Sequence, residues 1–349
     1  MRLTNALFML LGAACCYAHH GSNAQFDQTQ TVELSGTITG IHWVNPHAYV
    51  LLDVIAADGT VQGWRCEMRA AAMLQRSGWS QDMFSPGAHI EIEGVPARRE
   101  SDVCYVRQFS IDGGPVIQRY SQLDEAEEQF EAGDRPPVLE NGQPNISGNW
   151  AAPQRLLQQG ELRRRSMVGF RGYLYDQSEA GIAAARHFDV ARDNPRYNCQ
   201  AVNIVADWVF DQHVNRIEQS DTSITLSYGF MDIVRTIHLD RDEHPDDIVP
   251  SRAGHSIGRW DGNALVVETI GFLPGYLDGR FGIMHSDQLR VVETFEFDPE
   301  RLSLVRRYTG EDPLYLSSPF ESQDAVFLTD TPFTPYDCED LTTDFGGRD

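Results

Sequence analysis

Residues 255–270 read His255-Ser256-Ile257-Gly258-Arg259-Trp260-Asp261-Gly262-Asn263-Ala264-Leu265-Val266-Val267-Glu268-Thr269-Ile270. Asp261-Gly262-Asn263 is a hairpin turn, because Gly and Asn tolerate the positive φ that tight strand connections need. In the flanking runs successive side chains point to opposite faces. His255, Ile257 and Arg259 therefore share one face, and Ser256, Gly258 and Trp260 the other.

The pattern continues in both directions. Ser223 to Phe230, Ile233 to Asp240, Leu289 to Phe297 and Leu302 to Thr309 are further strands, with Asp298-Pro299-Glu300 as a second turn. Sequential hairpins with few helices predict a larger antiparallel β-barrel, lipocalin-like in architecture, over residues 148–349; a flat sandwich is the alternative. One helix is predicted near Ser178 to Phe188.

Upstream, residues 19–112 predict a smaller unit. Strands at Val32–Trp43, Tyr49–Ile55 and Val61–Met68 precede a helix at Arg69–Ser77, and strands at Ile90–Val95 and Val103–Ile111 follow. Three strands, a helix and two strands is the order of an OB-like barrel. Between the units, residues 113–147 read as a linker, with the acidic Asp124-Glu125-Ala126-Glu127-Glu128 and the breakers Arg135-Pro136-Pro137 and Asn141-Gly142-Gln143-Pro144. The expected fold class is mainly β.

Residues 1–18 have the form of a secretory signal: Arg2, an apolar run from Ala6 to Ala14, and the small-x-small site Cys16-Tyr17-Ala18. Lipoprotein anchoring through Cys15 is the alternative, although the expected Leu sits one place early. The expected location is periplasmic or secreted, with no transmembrane span, since no run approaches about 20 apolar residues. Cleavage after Ala18 leaves Cys66, Cys104, Cys199 and Cys338. An oxidising compartment favours two disulfides, and Cys66–Cys104 with Cys199–Cys338 keeps each bridge inside one unit.

Composition removes several functions. Acidic residues outnumber basic ones 51 to 28, for a formal charge of −23. Such a surface repels phosphate backbones and anionic lipids, so no nucleic-acid partner is expected. All the basic residues are Arg, which excludes Schiff-base, Walker-type and Ser–Lys chemistry. No dinucleotide, zinc-protease or calcium-loop motif occurs. Gly254-His255-Ser256-Ile257-Gly258 matches a nucleophile elbow formally, but a strand and hairpin follow where the elbow needs a helix.

Two constellations remain. In the larger barrel, Glu268 and Glu293 interrupt apolar strands and so need an ionised partner or else a raised pKa, with Arg259, Arg290 and Arg306 available as cations. His255 beside Glu268 or Glu293 suits proton transfer, and Arg259 suits an oxyanion. His285 and Asp287 lie on a Gly-rich loop over the expected barrel mouth. The leading expectation is an exported protein binding a small apolar or aromatic ligand in that lumen. It would act there as a cofactor-free lyase, isomerase or hydrolase; structural ion pairs are the plainer reading. In the smaller unit, a chain starting at His19-His20 would chelate copper through its amino terminus and imidazoles. His47 and Glu67 lie within the same unit. The competing expectation is therefore a copper- or zinc-binding protein using His19, His20, His47 and Glu67, or a non-catalytic scaffold. Substrate and oligomeric state stay open.

The paired histidines before Phe26-Asp27, Trp43-Val44-Asn45-Pro46-His47 and Trp64-Arg65-Cys66-Glu67 resemble an uncharacterised family of small exported bacterial proteins. The resemblance covers roughly residues 19–111. It departs from the familiar pattern in having Gly21 between the histidines and Ser22. It implies export and a compact barrel, and no reaction.

Overall fold

The computed structural model describes residues 25–121, 123, 135–152, 175–210 and 213–339. The acidic run Asp124–Glu128, the signal and the His19-His20 pair lie outside these residues. Among those described, no helix is long and apolar enough to cross a membrane.

The smaller unit contains β1 (Val32–His42), β2 (Tyr49–Ile55), β3 (Val61–Glu67), β4 (His89–Pro96) and β5 (Val103–Ile111), with the helix Ala71–Arg76 between β3 and β4. β1 pairs with β2 and β4, β2 with β3, and β4 with β5, all antiparallel. β3 and β5 close the ring in parallel, Arg65 opposite Val103, Cys66 opposite Cys104 and Glu67 opposite Tyr105. This is the expected OB-like barrel. The expected linker begins later than its sequence suggests, because β6 (Ile117–Gln118) adds to β5 and the Arg119 guanidinium is buried against the ring.

The larger unit runs through β7 (Gly148–Ala151), β8 (Asn215–Gln219), β9 (Ser223–Ser227), β10 (Val234–His238), β11 (His255–Asp261) and β12 (Ala264–Ile270). A separate hairpin, β13 (Gly275–Asp278) with β14 (Ile283–His285), precedes β15 (Arg290–Asp298), β16 (Ser303–Glu311) and β17 (Phe320–Thr329). Nine strands close in the order β10-β11-β12-β15-β16-β17-β7-β8-β9. The helix Glu179–Ala184 forms within the predicted range, where the Ser178 hydroxyl accepts from the Gly181 N–H at 3.1 Å.

The expectation of an antiparallel barrel needs one correction, and its cause is parity. Each antiparallel step reverses strand direction, so a ring with an odd number of strands cannot close by antiparallel steps alone. The five-stranded ring places its parallel step at β3–β5, the nine-stranded ring at β10–β11. A parallel step needs a crossover of about a dozen residues or more. Residues 239–254 supply it for β10–β11. That seam is short, pairing Ile237 with Ser256 and His238 with Ile257. It is also close: a Cβ on Gly258 would lie 2.6 Å from Ile237 Cγ2, so glycine is required there.

Both expected disulfides form, Cys66–Cys104 and Cys199–Cys338. The two units meet through Asn45. Its side-chain amide donates to the Tyr336 carbonyl, its carbonyl accepts from the Glu339 N–H at 2.9 Å, and its Oδ1 accepts from the Ala72 N–H at 3.2 Å.

Candidate functional site

The larger barrel is filled. Residues 201–210 enter it as a plug, with Ile204 and Trp208 fully buried. Arg306 donates to the Ile204 and Val205 carbonyls, each at 3.0 Å, and the Tyr228 hydroxyl also donates to Ile204 at 3.0 Å. A recess bounded by Tyr175, Arg196, Leu277 and Asp278 has about 10 Å³, room for a single water.

Glu293 points into this interior and is fully buried. It pairs with Arg235 and, at 3.3 Å, with Arg306, which also holds Asp324. Arg235 donates to Ser256 Oγ at 2.9 Å and Thr269 Oγ1 at 2.8 Å. The serine of the elbow-like motif is thus an internal hydrogen-bond partner on a strand. Such a set of buried charges is tolerated because each carboxylate meets a guanidinium.

The expected catalytic set does not converge. Val267 pairs across from Glu293, both facing inward, so Glu268 faces outward with His255 and the exposed Arg259. Glu293 and His255 are on opposite sides of the wall. Of the cations proposed, Arg306 meets Glu293 and Arg290 meets Glu268; Arg235 is the partner that sequence reasoning missed. His285 is buried, its Nδ1–H donating to the Ser286 carbonyl at 3.0 Å, and burial lowers its pKa. Asp287 is exposed, and the carboxylate working beside His285 is Asp312, which accepts from the Ser286 hydroxyl at 2.8 Å and the Leu314 N–H at 3.0 Å. That arrangement braces a loop.

His255 and Glu268 do meet, through a residue to which the sequence assigned no role. The crossover folds His244 between them: His244 Nε2 is 3.4 Å from Glu268 Oε1, and the Nδ1 atoms of His244 and His255 are 2.7 Å apart. The His238 ring stacks on His255, 5.1 Å between centroids at 16°. Burial lowers the pKa of both His244 and His255.

In the smaller barrel, His47 Nδ1 lies 3.3 Å from the Met68 carbonyl and 3.3 Å from Glu67 Oε1. Both oxygens only accept, so Nδ1 carries the proton and the lone pair of a neutral ring sits on Nε2. Glu67 ends the β3–β5 seam and is buried. Arg119 donates to the Glu67 and Met68 carbonyls at 2.8 and 2.9 Å, approaches Glu67 Oε1 at 3.8 Å, and lies 3.6 Å over the Tyr105 ring. His42 turns elsewhere, to Glu339 at 3.5 Å. Among the described residues no three His, Cys, Asp or Glu side chains form a ready cage for a cation. His19 and His20 lie outside them.

The model of a family of unknown function (DUF6152) matches residues 8–104. The match spans His19, His20, His47 and Glu67 and ends at Cys104. No curated protein and no solved structure matches the chain.

Proposed function

We propose that this is an exported metal-binding protein whose smaller barrel presents His47 to a copper or zinc ion, with His19 and His20 as further imidazole donors. The observation behind it is the fixed tautomer of His47. A histidine whose Nδ1–H is anchored on a carbonyl and a carboxylate is oriented with its other nitrogen ready to ligate, the usual outer arrangement of a metal-bound imidazole. His20 precedes Gln25 by five residues, a reach of at most about 17 Å. Phe26 packs on Tyr105, 5.5 Å between rings, and Tyr105 is the register partner of Glu67. The acidic surface favours cations, and the disulfides suit an oxidising compartment. Neutral imidazoles suit copper and zinc alike.

The test is metal analysis of the exported, tag-free protein. An equivalent of copper or zinc that is weakened at least tenfold in His47→Ala supports the reading. A protein that binds neither, or a variant that binds as the parent does, overturns it.

A further inference from the structure

The outer wall of the larger barrel carries a second group of imidazoles, independent of His47. β10 lies beside β11 in parallel with His238 opposite Ile257, a register that sets His238 and His255 on one face, and the crossover returns His244 over them. His244 Nε2 faces the Glu268 carboxylate at 3.4 Å. The Nδ1 atoms of His244 and His255 are 2.7 Å apart, so one ring donates and the other accepts, and a single proton joins the two. Arg290 pins Glu268 from the other side and is itself held by Glu311 at 3.1 Å. His238, with 30% of its side chain exposed, stacks on His255 and is a third imidazole in contact.

We propose that the His244–His255 pair is a second transition-metal site, taking a divalent cation of the zinc or copper class in place of the shared proton. The exchange balances with both rings neutral: one cation enters between the two Nδ1 atoms, the proton they shared moves through solvent to the outer Nε2 of the ring that carried it, and neither a net proton nor an electron is released. Two imidazoles on one tetrahedral zinc stand roughly 3.3 Å apart, given Zn–N bonds of about 2.0–2.1 Å. The rings must therefore part by about 0.6 Å, which falls to the crossover that carries His244 on the barrel surface. A rotation of His238 brings a third imidazole, and water fills the open position. Asp240, Asp242, Glu243, Asp246 and Asp247 on the same crossover offset the nearby charges of Arg241 and Arg290 and draw cations toward the site.

The experiment is a zinc titration of the full chain carrying His47→Ala, against a chromophoric chelator, with pH recorded in weak buffer. The expected result is one equivalent bound with no net proton released at neutral pH, since both rings stay neutral imidazoles. His244→Gln and His255→Gln, each retaining the parent's thermal midpoint, should weaken that equivalent at least tenfold. His89→Gln, on the other barrel, should not change it. The proposal falls if the His47→Ala chain takes up no zinc at micromolar concentration, or if both glutamine variants bind as it does. Because His47 is absent throughout, failure here leaves the smaller-barrel reading standing, and a His47→Ala variant that binds metal as the parent does overturns that reading without touching this one.

Discussion

The two rings solve the same closure problem with different chemistry. At β3–β5 the parallel strands are joined covalently, Cys66 to Cys104, at the middle of a three-pair seam. At β10–β11 there are two pairs and no covalent link. Arg235 joins the strands from inside through Ser256 and reaches on to Thr269 and Glu293. His238 and His255 meet across them from outside. A disulfide consumes its sulfurs and leaves no donor. A polar clasp leaves imidazole nitrogens on the outer face of the barrel.

The comparison breaks most readily at Arg235. Removing one member of a buried charge pair strands the other, and Arg235→Ala should cost about 5 kcal/mol of stability, the upper end for such losses. Arg235→Met with Glu293→Leu should recover most of it, because Arg306 keeps Asp324. Urea denaturation of the three proteins reads both effects. Equal loss in the single and double variants would show that the clasp works by shape and not by charge.

Cys66→Ala with Cys104→Ala tests the other seam. The bridge spans 38 residues, and the chain entropy of such a loop corresponds to about 4 kcal/mol. Hydrogen exchange should accelerate in β3 and β5 while β10 and β11 keep their protection. Faster exchange in both rings would mean that the barrels unfold as one unit and that the seams are not separate.

How far these seams were legible is itself uneven. β11, β12, β15 and β16 are half-buried, so period-two alternation marks them clearly, and the opposite faces of Arg235 and His238 follow from the same count. β17 and β8 escaped notice because Asp324 and Asn215 occupy inward positions where apolar residues are expected; the β13–β14 strands, of four and three residues, are too short to show a period. Choosing between Glu268 and Glu293 was beyond the sequence for a specific reason. Their phase depends on the register of β12 against β15, and a shift of one residue exchanges the faces. The His238–His244–His255 group depends on a crossover imposed by strand parity, and no local spacing encodes that. Asn45 sat inside a motif read for its histidines, and its role as clasp between barrels rests on the chain near Tyr336, almost three hundred residues away.

The smallest expected effect concerns acid, and it bears on neither seam. His213 packs between Phe230 and Tyr336, 5.3 and 5.0 Å between rings, next to the Tyr336 carbonyl that Asn45 grips. Burial first, then the charges of Arg76 and Arg69 from the smaller barrel, lower its pKa to about 3. An unfolded histidine titrates near 6.5. Between those values the unfolded chain holds a proton that the folded chain refuses, so stability falls as pH falls below 6.5 and is unaffected above 7. From pH 7 to pH 5 the loss attributable to this group is about 2 kcal/mol. His213→Phe, which keeps a ring among rings, should remove that portion of the pH slope in urea melts at the two values. An unchanged slope would place the acid-sensitive group elsewhere. With the slope removed, protection lost at pH 5 in the parent should appear first around Asn45 and Tyr336, because the group that resists protonation lies at the joint between the barrels.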